Sequence, residues 1–170
     1  MRALVAALVL GLWAAPALAA VPSAPAFALT LLDGSGTFDS RAAIGKNVLV
    51  VRFQASWCKV CVQEAPMIER VYEKYRTAGV EVVAVQVQDT EADARRFLKA
   101  YGATYPAGLD PRLKIANRFG FKNAPYTVVI DKRGEIVSRF RGRTDETKLA
   151  RVLDPLVKPG PTRKPPARLQ

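Results

Sequence analysis

Two cysteines in a chain of 170 residues stand with two residues between them, in Trp57-Cys58-Lys59-Val60-Cys61. An apolar, strand-like run from Asn47 to Phe53 leads into them, and a helix-like run from Gln63 to Ala78 leads away. Two thiols at that spacing across the first turn of a helix can close a small disulfide ring and reopen it. The helix N-terminus offers free N–H groups and partial positive charge, and both favour a thiolate over a thiol. A zinc site would need two further Cys or His ligands, and the chain has neither a His nor a third Cys. A structural disulfide is the competing reading, although so short a ring removes little entropy from the unfolded chain. The spacing points to reversible thiol chemistry.

The elements that would hold this pair can be read outward from it. Val48 to Phe53 is apolar on both faces except at Arg52, which fits a central strand covered on both sides. Arg52 is the anomaly, because a charge is rarely set in such a strand without a partner. Beyond the cysteines, Ala65, Ile68, Tyr72 and Tyr75 draw one face of a long helix, with Pro66 inside it and Gly79 stopping it. Val80 to Val87 is a second buried-type strand. Thr90 to Asp93 resembles a capping box for a helix carrying Ala94, Phe97, Leu98 and Tyr101 on one face. Asp110 and Pro111 open a short helix from Leu113 to Phe119. Tyr126–Ile130 and Glu135–Phe140 read as strands joined at Asp131-Lys132-Arg133-Gly134, and Thr144 caps a last helix through Leu149, Val152, Leu153 and Leu156. Before all of these, Phe27–Leu31 and Thr37-Phe38 form an N-terminal hairpin around Asp33-Gly34-Ser35-Gly36. The order predicts an α/β sheet with helices on both faces.

The ends of the chain are different material. Arg2, the apolar run Ala3–Trp13, Pro16 and Ala17-Leu18-Ala19 have the layout of a secretory signal peptide over residues 1–19. An uncleaved anchor facing the periplasm is the alternative, though the apolar core is short for a span. Residues 20–26 read as a Pro/Ala linker, 27–157 as the folded domain, and 158–170 as a disordered basic, Pro-rich tail. Export would set the two thiols in a compartment where disulfides persist. The net charge is +11. Its basic residues are spread rather than interleaved with aromatics, which excludes a nucleic-acid groove and leaves a basic surface biased toward acidic partners or headgroups.

These residues resemble the thioredoxin fold and, within it, the exported thiol–disulfide oxidoreductases of the TlpA/ResA type. The match is carried by strand Val48–Phe53, Ala55-Ser56-Trp57-Cys58-Lys59-Val60-Cys61, Glu64, Pro66, and Asn123-Ala124-Pro125-Tyr126-Thr127 entering a strand that ends Ile130-Asp131. The resemblance covers Phe27 to about Val157, including an inserted segment around Thr90–Leu109. It implies a central mixed sheet, a cis peptide bond at Pro125, and backbone of Ala124 turned toward Cys58 for strand-like pairing with a substrate. It implies that Cys58 is the exposed nucleophile, resolved by Cys61, with Lys59 helping to hold the thiolate and Trp57 giving an apolar docking surface. It also implies that Glu64 modulates the titration of the pair.

Arg52 departs from the family, where thioredoxins carry a buried aspartate. The expectation is an Arg52–Glu64 pair beneath Cys61 that keeps Glu64 ionised and tunes the dithiol. The function expected is reduction of disulfides in exported proteins, such as apocytochrome c cysteines or thiols of copper-delivery proteins. A membrane-embedded thiol carrier would return the electrons, and no cofactor beyond the disulfide and no metal would be needed. The protein is expected to be a monomer. Oxidation or isomerisation by the same cysteines is the alternative, and Cu(I) binding through the two thiolates is the rival from another class.

Overall fold

The computed structural model describes residues 22–157. The expected signal peptide and basic tail lie outside them. Among the described residues no helix is long and apolar enough to cross a membrane.

The chain first forms a hairpin of β1 (Ala28–Thr30) and β2 (Thr37–Asp39), then the short helix α1 (Ser40–Ala43), N-capped by the Asp39 side chain. Strand β3 (Val48–Gln54) follows, and all seven of its residues are buried. Helix α2 (Lys59–Tyr75) leaves the cysteine pair, continues as a 3-10 turn over Arg76–Ala78, and ends at Gly79 in the left-handed region (φ 86°). A residue with a Cβ would be strained there. Then come β4 (Val80–Val87), α3 (Glu91–Ala100), β5 (Ala107–Asp110), β6 (Tyr126–Ile130), β7 (Ile136–Arg141) and α4 (Glu146–Val157).

The main sheet has the order β5-β4-β3-β6-β7. Strands β3, β4 and β5 are parallel, β6 runs antiparallel to β3, and β7 antiparallel to β6. This is a mixed sheet, and strand alternation divides its side chains into two layers. Leu49, Val51, Phe53, Val83, Val85, Tyr126 and Val128 face the hairpin and the aromatic group Phe27, Phe38, Phe119 and Phe121. Val48, Val50, Val80, Val82 and Val129 face Ile68, Val71 and Tyr75 of α2 and Leu149 and Leu153 of α4. Each such side chain contributes about 1.5–3 kcal/mol by leaving water.

Antiparallel pairing of β3 with β6 fixes the site. The register Phe53↔Tyr126 puts the start of β6, preceded by Pro125, beside the end of β3 that feeds the cysteines. Sequence-distant segments thus meet at one end of the sheet.

Several elements differ from the sequence expectation. Helix α2 begins at Lys59 rather than Gln63, because Cys58 itself is the N-cap. The expected helix Leu113–Phe119 is only a 3-10 turn over Ala116–Phe119, and Asp110 belongs to the unforeseen strand β5. Its carboxylate accepts the amides of Lys114, Ile115 and Ala116 at 2.7, 2.9 and 2.8 Å, binding the chain locally before a full helix can form. Helix α4 is capped by Asp145, whose Oδ1 accepts the Lys148 amide, and not by Thr144. The described part of the expected linker lies along the β6–β7 turn, where Ala24 N donates to Gly134 O and Ile136 N to Pro22 O.

Candidate active site at the Cys58–Cys61 disulfide

Cys58 and Cys61 are joined as a disulfide. Cys58 stands at the N-cap of α2, where its sulfur accepts the Cys61 amide at 3.2 Å, and its carbonyl accepts the Val62 amide. Cys61, one turn into the helix, is fully buried, while Cys58 keeps 6 % of its surface accessible. The asymmetry follows from helix geometry: the cap residue lies at the edge of the first turn, and its i+3 partner faces the sheet. An attacking thiolate at Cys58 would sit where the helix N–H groups converge.

The turn that presents Cys58 is held from the β4–α3 loop. Asp89, buried, accepts the Ser56 amide at 2.8 Å and the Ser56 hydroxyl at 2.7 Å. Gln88 adopts a positive φ of 50° and turns its carbonyl toward the Trp57 indole N–H, which donates at 3.2 Å. With its edge tethered, Trp57 still exposes 58 % of its surface and borders a groove of about 270 Å³ shared with Val62, Phe97 and Tyr101. Lys59 is exposed on the first turn of α2. On the other side, the Ala124–Pro125 bond is cis, Ala124 is half-buried, and Gly142 N donates to Pro125 O.

Behind the disulfide lies a buried polar layer between the sheet and α2. Arg52 is completely buried and donates from Nη2 to Glu64 Oε2 at 2.6 Å and from Nη1 to Thr127 Oγ1 at 2.9 Å. The second carboxylate oxygen of Glu64 accepts the Thr144 amide at 2.8 Å. Burial pulls the Arg52 guanidinium below its ordinary pKa, against the raising pull of Glu64. Gln54 and Gln86, opposite each other in the β3–β4 register, extend the layer toward Tyr105. Arg52 Nε, Gln54 Oε1 and both amide atoms of Gln86 have no protein partner.

The structure therefore brings Arg52, Glu64, Trp57, Lys59, Cys58, Cys61, Ala124 and Pro125 to one end of the sheet. Asp89, Thr127, Thr144, Gln54 and Gln86 were not foreseen. Two of them had a readable signal, since Gln54 and Gln86 are polar residues near the ends of strands that are mostly apolar. Asp89 and Thr144 act through partners 33 and 80 positions away, which no local pattern reveals. Among the described residues no cluster of three or more His, Cys, Asp or Glu could hold a metal ion.

A family model described as Redoxin matches residues 20–153. The thiol-disulfide oxidoreductase ResA of Bacillus thuringiensis (strain Al Hakam) is 32% identical over 126 residues, covering 74% of this chain and 72% of its own. A crystal structure from Chlorobium tepidum described as a thiol:disulfide interchange protein DsbE superposes with a TM-score of 0.73 at 28% identity, covering 82% of this chain and 99% of that one. MTB dsbF, solved in mixed oxidized and reduced forms, gives a TM-score of 0.72 at 26% identity over 81% of this chain and 99% of its own. The chain belongs to the Redoxin family and has the thioredoxin fold. Within that family it is a thiol–disulfide oxidoreductase of the TlpA/ResA type, and Cys58–Cys61 is its redox pair.

Proposed function

We propose that this protein is an exported dithiol reductase of protein disulfides. The observation that carries the reading is the asymmetry of the pair, with Cys58 at the helix N-cap keeping a small exposed edge and Cys61 fully buried behind it. The Cys58 thiolate attacks one sulfur of the substrate disulfide; a mixed disulfide forms and the other substrate sulfur leaves as a thiolate that takes up a proton. Cys61, deprotonated in turn, attacks Cys58 Sγ, releases the second substrate thiol and closes the Cys58–Cys61 disulfide. Two electrons have then passed from enzyme to substrate, and a membrane-embedded thiol carrier returns them with two protons.

Ala124 and cis-Pro125 offer backbone for a substrate strand, and Trp57 and Lys59 flank the nucleophile, the first as an apolar platform and the second as a charge that favours the thiolate. Glu64, one helical turn beyond Cys61, modulates the pair, and Arg52 holds its carboxylate in place through the bond at 2.6 Å. Cysteines of an apocytochrome c or of a copper-delivery protein are substrates of the required kind. The residues between the cysteines, Lys-Val, support reduction over oxidation, because strong oxidants of DsbA type carry a His there.

The order of attack is tested by trapping. Cys61→Ala should accumulate a mixed disulfide through Cys58 when mixed with a disulfide peptide, and Cys58→Ala should not. Equal trapping by both variants would contradict the assignment of Cys58 as nucleophile.

A further inference from the structure

Beside the cis-proline lies a feature that thiol exchange alone does not require. The loop before Pro125 and the end of β7 enclose a recess of about 290 Å³ lined by Lys122, Asn123, Tyr126, Arg141 and Gly142. Backbone pairing fixes its place: Tyr126 stands opposite Arg141 in the β6–β7 register, and Gly142 N donates to Pro125 O at 2.9 Å. The recess thus opens next to the Ala124–Pro125 backbone.

Its charge is of one sign. Lys122 and Arg141 are exposed, and neither forms an ion pair among the described residues. The Arg141 guanidinium carbon lies 5.6 Å from the centroid of the Tyr126 ring, a cation–π seat that orders this long side chain over the recess before anything binds. Tyr126 is fixed in turn by its hydroxyl, which donates to Phe119 O at 3.0 Å. The carboxylates near the dithiol are already committed, Asp89 to Ser56 and Glu64 to Arg52 and Thr144. Elsewhere on the surface Arg95, Arg96 and Lys148 are matched by Glu91, Asp93 and Asp145. An ordered, unpaired arginine and a lysine around a recess suit an anionic side chain.

We propose that this recess is a specificity subsite for a carboxylate, so that favoured substrates carry Asp or Glu within about two residues of the cysteine that Cys58 attacks. The inference rests on the dithiol-reductase reading and names its substrate class. In an extended strand, residues two apart share a face at about 6–7 Å, which is how a side chain flanking the reacting cysteine would reach Lys122 and Arg141. Attraction by these cations speeds encounter and fixes register without altering the covalent steps.

The test uses the full chain carrying Cys61→Ala, so that attack by Cys58 is trapped as a mixed disulfide. Two disulfide peptides of identical composition are compared, one with Glu two residues from the cysteine and one with Glu at the far end. Each rate is divided by that of the same peptide with dithiothreitol, which removes differences in leaving-group reactivity. The peptide with the near Glu should react about fivefold faster at low ionic strength, falling toward parity at about 0.5 M salt. Lys122→Ser with Arg141→Ser on that background should abolish the advantage. Arg76→Ser, beyond the far end of α2, should keep it. Equal wild-type-background rates for the two peptides, or an advantage surviving in the Lys122→Ser/Arg141→Ser variant, would overturn the subsite alone. Trapping of neither peptide would overturn the dithiol reading and the subsite with it.

Discussion

Arg52 is a cation with no exposed surface, set between apolar neighbours Val51 and Phe53, and its worth depends on Glu64. Desolvating two charges is expensive, and their mutual attraction with Thr127 and Thr144 as further partners offsets it. Removing one member leaves the other buried and unpaired. Arg52→Met should therefore cost about 3–5 kcal/mol in urea unfolding, while Arg52→Met with Glu64→Gln should recover most of that loss. Loss of the cation also leaves Glu64 uncompensated one turn from Cys61. The Cys61 thiol in Arg52→Met should titrate higher than in the parent protein, read by thiol absorbance or alkylation rate against pH. An unchanged Cys61 titration would refute tuning by Arg52. The pair was legible in the sequence because both residues are chemically out of place: a charge in a buried strand needs a partner, and Glu64 lies one turn past Cys61. Asp89 was not legible, since an aspartate before a helix reads as a cap or a surface residue, and its bonds to Ser56 exist only once β3 and β4 lie side by side.

Among the elements, the regular apolar strands and capped helices were readable, and those defined by tertiary contact were not. β4 occupies the run foreseen for it, Val80–Val87, because eight residues rich in Val have few alternatives. β5 is Ala-Gly-Leu-Asp, with little propensity for a strand, and it is one because β4 pairs on one side while Leu31 bridges Gly108 on the other. Gly108 is required by that closeness: a Cβ there would meet the Thr30 carbonyl and lie 2.5 Å from Leu29 Cγ. Gly108→Ala should cost about 1–3 kcal/mol through displacement of the hairpin, measured by thermal or urea unfolding. The β6–β7 turn makes a pH-dependent contribution. Burial alone would raise the Asp131 carboxyl, but the Glu135 and Arg133 amides and the Arg133 guanidinium outweigh it and hold it below the ordinary carboxylate range. A lowered folded value means stability that is present above the unfolded value of about 4 and lost as pH falls through the folded one. Asp131→Asn should cost about 1–2 kcal/mol at pH 7 and less at acid pH. The same loss at both would mean that the ionised carboxyl is not what matters there.

At the scale of the molecule, the mixed sheet gathers its chemistry at one end, because β3 delivers the cysteines where antiparallel β6 begins. On one side of the disulfide lies the Trp57 groove toward α3, and on the other the cis-Pro125 backbone and its cationic recess. Behind it is the buried Arg52–Glu64 layer. That arrangement was legible in outline from two apolar strands, a dithiol and a proline-led strand, since parallel β–α–β followed by a hairpin leaves few ways to close the sheet. The sequence does not carry the direction of electron flow, which is set by the relative stability of the dithiol and disulfide forms. The reduction potential of the Cys58–Cys61 pair, read by equilibrating the protein with defined glutathione or dithiothreitol couples, measures it directly. Thioredoxin sits at about −270 mV and the oxidant DsbA at about −120 mV, a gap of roughly 7 kcal/mol for two electrons. A reductase requires a value near or below the first; a value near the second would make the same two cysteines an oxidant and contradict the function proposed here.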